Sequence, residues 1–314
     1  MTEPGGAAEP GSGTEPSSAA EPGDAAEPDG TVSRLDVALV QRGVARSRTA
    51  ARSAIDAGRV RVGGRVVLKP AHPVARDADV TMDGDDGYVS RAAHKLIAAL
   101  EAAGREGAPI PVEGALALDL GASTGGFTQV LLERGARQVI ALDVGHGQLV
   151  PSLRADPRVV VVEGENARGL TAERLAEVSG VTERPDLVVA DLSFISLTLV
   201  LPAIVATVGT EVPLVMLIKP QFEVGRQGIR EGVVRDGDAR ADAIMGVLWA
   251  AHDVGLLADT IVSSPLPGVH GNLEFLAVFR PAVGRSPTQW RGHVDALAHG
   301  RAPTTPDRTT LESP

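Results

Sequence analysis

Residues 115–127 read Ala-Leu-Ala-Leu-Asp-Leu-Gly-Ala-Ser-Thr-Gly-Gly-Phe, an apolar run that ends in an acid and then in three glycines within six positions. A run this short, followed at once by a helix-compatible segment, reads as a strand feeding a helix through a glycine turn. In an open α/β sheet that turn lies where nucleotides bind, and glycine lets the backbone approach a ligand closely. Asp143 closes the next apolar run about twenty residues on, the position from which a carboxylate accepts hydrogen bonds from a ribose diol.

Six further apolar runs follow or flank this one: 138–144, 159–162, 187–191, 214–219, 261–264 and 273–279, each separated by helix-length segments. Seven such runs predict an α/β, Rossmann-like fold with a seven-stranded doubly wound sheet over residues 88–300. The last helix is expected from Ser286 to about Gly300, and the Pro/Thr-rich end, 301–314, is expected to be disordered. Residues 192–210 carry no charge and are long enough to suggest a membrane span, but Ser193, Ser196, Thr198, Pro202, Thr207 and Gly209 argue for a strand end, a turn and an amphipathic helix.

The glycine turn fits an NAD-binding dehydrogenase as well, but its acid favours a different cofactor. A dinucleotide turn starts with glycine straight off the strand and turns a helix N-terminus on a pyrophosphate, whereas here Asp119 precedes the first glycine. S-adenosylmethionine has no phosphate and offers a sulfonium and an amino group that a carboxylate suits. The cofactor-facing candidates are Asp119, Gly121, Ser123, Gly125, Gly126, Phe127, Asp143 and Asp191. Asn166, after the third run, is placed either to meet an adenine edge or to cap its own loop.

The basic residues comprise 27 arginines and three lysines, Lys69, Lys95 and Lys219. Where positive charge alone suffices this chain uses arginine, so its lysines mark places where an amine that can lose a proton matters. Lys219 ends the fifth run, in VPLVMLIKPQFE, and Asp191 ends the fourth, in DLVVADLSFIS. Both therefore sit at the ligand edge of the sheet. A lysine snorkelling from a strand end is the plainer account of Lys219. Lys95 lies on a helix whose Leu96, Ala99 and Leu100 face the sheet, and Glu274 interrupts an apolar strand in VHGNLEFLAVF. Two amines and two carboxylates suit methylation of a ribose hydroxyl: a neutral lysine takes the proton, a second lysine nearby favours its neutral form, and the acids orient both. There is no cysteine and no H-E-x-x-H among the seven histidines, so no disulfide and no metal site is expected, and a reducing cytoplasm fits. No secretory signal opens the sequence.

The N-terminal part is organised by charge. Residues 1–30 repeat Glu-Pro every six positions, with seven acids and no base. This composition predicts a disordered acidic tail, either simply solvated or mimicking a polyanion. From Thr31 to Arg76 ten basic residues face two acids, Asp36 and Asp56, so the overall charge of −10 conceals a basic module at 31–78, followed by a linker at 79–87. Within the module Leu35 and Leu39 share a helix face, Ser47 is an N-cap, Gly58 ends a helix, and Gly63-Gly64 turns a hairpin between Arg59–Val62 and Arg65–Val67. Arg34, Arg46, Arg48, Arg52, Arg61, Arg65 and Lys69 are the candidate phosphate contacts, a set that gives salt-dependent RNA affinity without sequence choice.

The stretch RLDVALVQRGVARSRTAARSAIDAGRVRVGGRVVLKPAHPV resembles an S4 RNA-binding domain. SRAAHKL, DLGASTGGF, DLSFIS, LIKPQFE and HGNLEF together resemble the FtsJ-type Lys-Asp-Lys-Glu ribose methyltransferases, and with the S4 domain in front, the TlyA or hemolysin A family of rRNA cytidine 2′-O-methyltransferases, over residues 31–284. That resemblance implies ribosomal RNA in ribosomal subunits (16S, 23S or both) as substrate and S-adenosylmethionine as donor. It implies Lys219 as the base, with Lys95, Asp191 and Glu274 as its partners. Two features depart from the family: the acidic repeat, and Tyr88 where some members carry tryptophan. The competing readings are an RNA-binding ribosome-assembly factor with an inert catalytic domain, and a membrane-active hemolysin, for which the sequence offers no span, signal or cationic amphipathic helix.

Overall fold

The computed structural model describes residue 1 and residues 32–45, 47–56, 58–82, 87–106, 109–225, 232–268, 271–280, 284–304 and 306. The Glu-Pro repeat, Arg46, residues 83–86 of the expected linker and most of the C-terminal tail lie outside the described residues.

The basic module contains β1 (Ser33–Arg34), α1 (Leu35–Gln41), α2 (Arg48–Asp56), β2 (Val60–Val62), β3 (Arg65–Val66), β4 (Pro73–Val74) and β5 (Val80–Met82). Ser47 Oγ accepts the Ala50 N–H at 3.1 Å, starting α2, and Gly58 adopts φ +70° just after it. The hairpin turns on Gly63 and Gly64, both at positive φ, so Arg61 pairs with Val66 and Val62 with Arg65. Sequence did not suggest β5, which adds to the free edge of β2. Leu35, Leu39, Ile55, Val60 and Val74 form a small core of their own.

The larger region opens with α3 (Ala92–Glu106). It continues through β6 (Leu116–Leu120), α4 (Gly126–Glu133), β7 (Gln138–Asp143), α5 (Pro151–Arg154), β8 (Val159–Glu163), α6 (Ala172–Ser179) and β9 (Leu187–Ala190). Then follow α7 (Leu201–Val208), β10 (Leu214–Ile218), α8 (Pro220–Glu223), α9 (Gly237–Asp253), β11 (Ala258–Ser263), β12 (Phe275–Phe279) and α10 (Pro287–Ala298). One seven-stranded sheet runs β11-β12-β10-β9-β6-β7-β8. Its order reverses between β6 and β9, which opens the crevice where such sheets bind ligands. Strand residues alternate between two cores: Leu116, Leu118 and Leu120 pack with α7, α9 and α10, while Ala117, Val139 and Val189 pack with α3, α4 and α5. The uncharged stretch 192–210 resolves into a loop, a single 3-10 turn at Leu197–Leu199 and α7. No helix among the described residues is long and apolar enough to cross a membrane.

The sheet is not parallel throughout, and one of its strands departs from the sequence pattern. β12 runs antiparallel to both β10 and β11. Among the described residues the link from β11 holds no α-helix, and a parallel return needs a crossover of about a dozen residues or more, usually helical. β11 also begins three residues earlier than its apolar pattern suggests, at Ala258. Asp259 hides the pattern, but it is buried against the Arg280 guanidinium, 3.1 Å away, and so occupies an interior strand position.

Candidate active site

Register brings the site together. Leu120 and Ala190 are partners across β6 and β9, so Gly121 and Asp191 leave the sheet side by side. Ile218 faces Phe275 across β10 and β12, so Lys219, following one, and Glu274, preceding the other, emerge at the same edge. β9, β10 and β12 each stop one residue short of a functional side chain.

Lys219 Nζ lies 2.7 Å from Asp191 Oδ1 and donates a hydrogen bond to Ser193 Oγ at 2.7 Å. The contact with Asp191 is an ion pair off the hydrogen-bonding direction, which leaves that oxygen without a hydrogen bond. Lys95, reaching in from α3, donates to Glu274 Oε2 at 2.5 Å. This second pair is enclosed, the two side chains being 8% and 3% exposed. The structure gives each lysine its own carboxylate. Gly268 makes room for the enclosed pair: a Cβ there would collide with Glu274 Oε1. No sequence signal distinguishes that glycine from an ordinary turn residue.

Two cavities meet here. The larger, about 510 Å³, is lined by Gly121, Ser123, Asp143, Asn166, Asp191 and Ser193 among others. The smaller, about 150 Å³, is walled by Ser90, Ser123, Gly126, Phe127, Asp191, Ser193 and Lys219, so Lys219 faces the far side of the glycine turn. Asp143 accepts the Ser123 N–H at 2.8 Å through Oδ2 and the Gly145 N–H at 2.7 Å through Oδ1, each oxygen keeping a lone pair for a ligand. Asn166 lines the larger cavity and also caps a short turn by accepting the Arg168 N–H at 3.0 Å.

The glycines do different work. At Gly121, φ is +83° and a Cβ would come 2.7 Å from the Asp191 carbonyl oxygen, so the two strand ends can close around the cavity only without a side chain. Gly125, at φ +100°, makes room for Leu149 and Leu153 rather than for a ligand, and Gly126 for Ser90. Asp119, expected to face a cofactor, lines neither cavity. It is buried beneath the turn, where Thr128 donates to Oδ2 at 2.6 Å and Oδ1 has no partner. Burial pushes its carboxyl up to about 7, against the pull of the Thr128 hydrogen bond. A carboxyl in that position braces the turn against α4 from inside.

In the basic module three of the candidate arginines converge on one acid. Asp36, buried, accepts from Arg34 Nε at 3.0 Å, Arg48 Nη2 at 3.1 Å and Arg52 Nε at 3.0 Å. Arg34 foremost, then Arg48 and Arg52, hold its carboxyl well below the usual carboxylate range. The three guanidiniums remain about half exposed around it. Arg65 and Lys69 are exposed on and beyond the hairpin, and Arg61 is half-buried.

A seven-stranded sheet with one antiparallel strand, a glycine turn and lysine–carboxylate pairs at its edge define a Rossmann-like methyltransferase, preceded by a small basic α+β module. The FtsJ-like methyltransferase family model matches residues 88–280, and the S4 domain model matches residues 33–80. The chain is 48% identical over 257 residues to the 16S/23S rRNA (cytidine-2′-O)-methyltransferase TlyA of Mycobacterium tuberculosis, covering 81% of this chain and 92% of that protein. It is 39% identical over 247 residues to Hemolysin A of Brachyspira hyodysenteriae, covering 78% and 99%. A solved structure from Streptococcus thermophilus, described as a hemolysin, superposes with a TM-score of 0.66 at 35% identity, covering 86% of this chain and 96% of that one. The chain belongs to the TlyA (hemolysin A) family of FtsJ-like methyltransferases.

Proposed function

We propose that this chain transfers a methyl group from S-adenosylmethionine to the 2′-hydroxyl of cytidine in ribosomal RNA, in the 16S molecule, the 23S molecule or both, working in the cytoplasm where ribosomal subunits are found. The carrying observation is Lys219: an amine at the wall of a cavity shared with the glycine turn, beside Asp191. The larger cavity suits the donor, because Gly121 leaves a cradle that a Cβ would fill and Asp143 offers free lone pairs for a ribose diol. Gly121, Ser123, Asp143, Asn166 and Asp191 would hold it there. Bound, S-adenosylmethionine supplies a methyl carbon on positively charged sulfur, open to attack by oxygen.

The residues of this chain do the rest. Lys219, neutral when it acts, takes the proton of the attacking ribose hydroxyl, and Asp191 stabilises the ammonium that forms. Lys95 and Glu274, locked together, hold the sheet edge beside Lys219. The arginines of the S4 domain, with Arg65 and Lys69, hold RNA phosphates and give no base preference. The activity of the TlyA relative supports cytidine and ribosomal RNA, since a hydroxyl-deprotonating site would serve any ribose.

The test is transfer of tritium from labelled S-adenosylmethionine to unmodified small and large ribosomal subunits by the purified full chain. Label on 2′-O-methylcytidine is expected, and no transfer to either subunit would overturn the reading. Lys219→Ala is expected to lower turnover by about 10²-fold or more, the usual worth of a general base, while retaining the cofactor. Wild-type turnover by that variant would move the base elsewhere.

A further inference from the structure

Two segments are zipped together beside Lys219. One is the loop after β9, Ser193 to Leu197; the other is Lys219 with α8. Lys219 Nζ donates to Ser193 Oγ at 2.7 Å, the Phe222 ring packs on Phe194 with centroids 5.3 Å apart, and Glu223 accepts from Ser196 Oγ at 2.5 Å and from the Leu197 N–H at 2.9 Å. Glu223 is half-buried; desolvation raises its carboxyl above the ordinary value, opposed by those two hydrogen bonds. The loop carries local strain, since Phe194 sits at φ +64° with its ring exposed. A non-glycine residue in that region costs of order 1–3 kcal/mol and persists only where neighbours enforce it.

The enforced product is the position of Ser193, whose side chain lines both cavities. From this we infer that Ser193 is a positioning residue for Lys219, setting the direction of the amine's lone pair. A neutral amine has two N–H bonds and one lone pair. Asp191 Oδ1 lies 2.7 Å from Nζ but makes no hydrogen bond with it, so it does not by itself fix rotation of the amine about its last carbon–nitrogen bond. Ser193 supplies the directional contact. With one N–H committed to Ser193 Oγ, rotation is restricted and the lone pair is turned to the cavity where a hydroxyl would arrive. The aim of a base matters because misplacement by about 1 Å can cost 10²-fold in rate. This inference rests on the reading of Lys219 as the base.

The experiment measures kcat and KM, on ribosomal subunits with labelled S-adenosylmethionine, for the full chain and for Ser193→Ala, Ser193→Thr and Lys219→Ala, with cofactor binding measured on each as a check of folding. Ser193 is exposed, so threonine has room for its methyl and keeps the acceptor oxygen. Ser193→Ala is expected to lose about 10- to 100-fold in kcat, with KM for RNA and cofactor affinity within about twofold, and Ser193→Thr to recover most of the loss. Full turnover by Ser193→Ala alongside an inactive Lys219→Ala overturns the inference and leaves the base reading standing. Turnover by Lys219→Ala overturns both. A Ser193→Ala loss carried by KM, or one that threonine does not restore, also overturns it, because the hydroxyl would then serve RNA binding or local packing.

Discussion

Asp36 in the S4 domain and the two lysine–carboxylate pairs of the catalytic domain use the same ingredients with opposite outcomes. In the S4 domain one buried acid gathers three arginines, all about half exposed. Positive charge is left over and presented to solvent, which suits a polyanion. In the catalytic domain each lysine meets one carboxylate and the side chains are nearly enclosed. No charge is left over, and what remains is chemistry at a fixed point. Ion pairing by itself defines neither function; stoichiometry and burial separate a binding face from a reactive centre.

The largest expected effect on that contrast is on stability. Glu274→Ala strands an enclosed ammonium, and removing one partner of a buried pair costs about 3–5 kcal/mol. Asp36→Asn releases three guanidiniums that can turn to water, so its cost in chemical denaturation should be clearly smaller. Equal costs would break the contrast.

A second effect is on salt dependence. Replacing Arg48 and Arg52 together by alanine should weaken RNA binding and reduce the slope of log affinity against log salt by about 0.7–0.9 for each phosphate that is no longer neutralised. Lys95→Ala should leave that slope unchanged. An unchanged slope in the arginine double variant would mean that Asp36 neutralises these side chains and that Arg65 and Lys69 carry the binding.

The smallest effect is on pH, and the two domains should differ in sign. Asp36 is held below its unfolded value, so its contribution is complete above about pH 4 and is lost as pH falls further. Asp119 is raised to about 7, so the folded chain holds a proton the unfolded chain has released. Its contribution therefore declines as pH rises from about 4 to about 7. In urea denaturation across pH, Asp36→Asn should flatten the acid limb and Asp119→Asn the decline toward neutrality. If Asp119→Asn keeps the full neutral-side decline, the buried carboxyl is not its source.

Residues 115–127, the seven apolar runs and the arginine excess at 31–76 were enough to set the fold class, the nucleotide-binding edge and an RNA-facing module, because hydrophobic period, glycine punctuation and local charge are properties of neighbouring residues. The scarcity of lysine also made Lys95 and Lys219 conspicuous without any knowledge of their neighbours in space. What the tertiary structure alone decided is which acid each lysine meets, that Asp119 braces the turn from behind, that three arginines share Asp36, and that Ser193 and Gly268 belong to the site. Lys95 and Glu274 are 179 residues apart in sequence and 2.5 Å apart in space. Such pairings depend on strand register and on which helix covers which face, and these are fixed by packing across the whole sheet, which no local window of sequence contains.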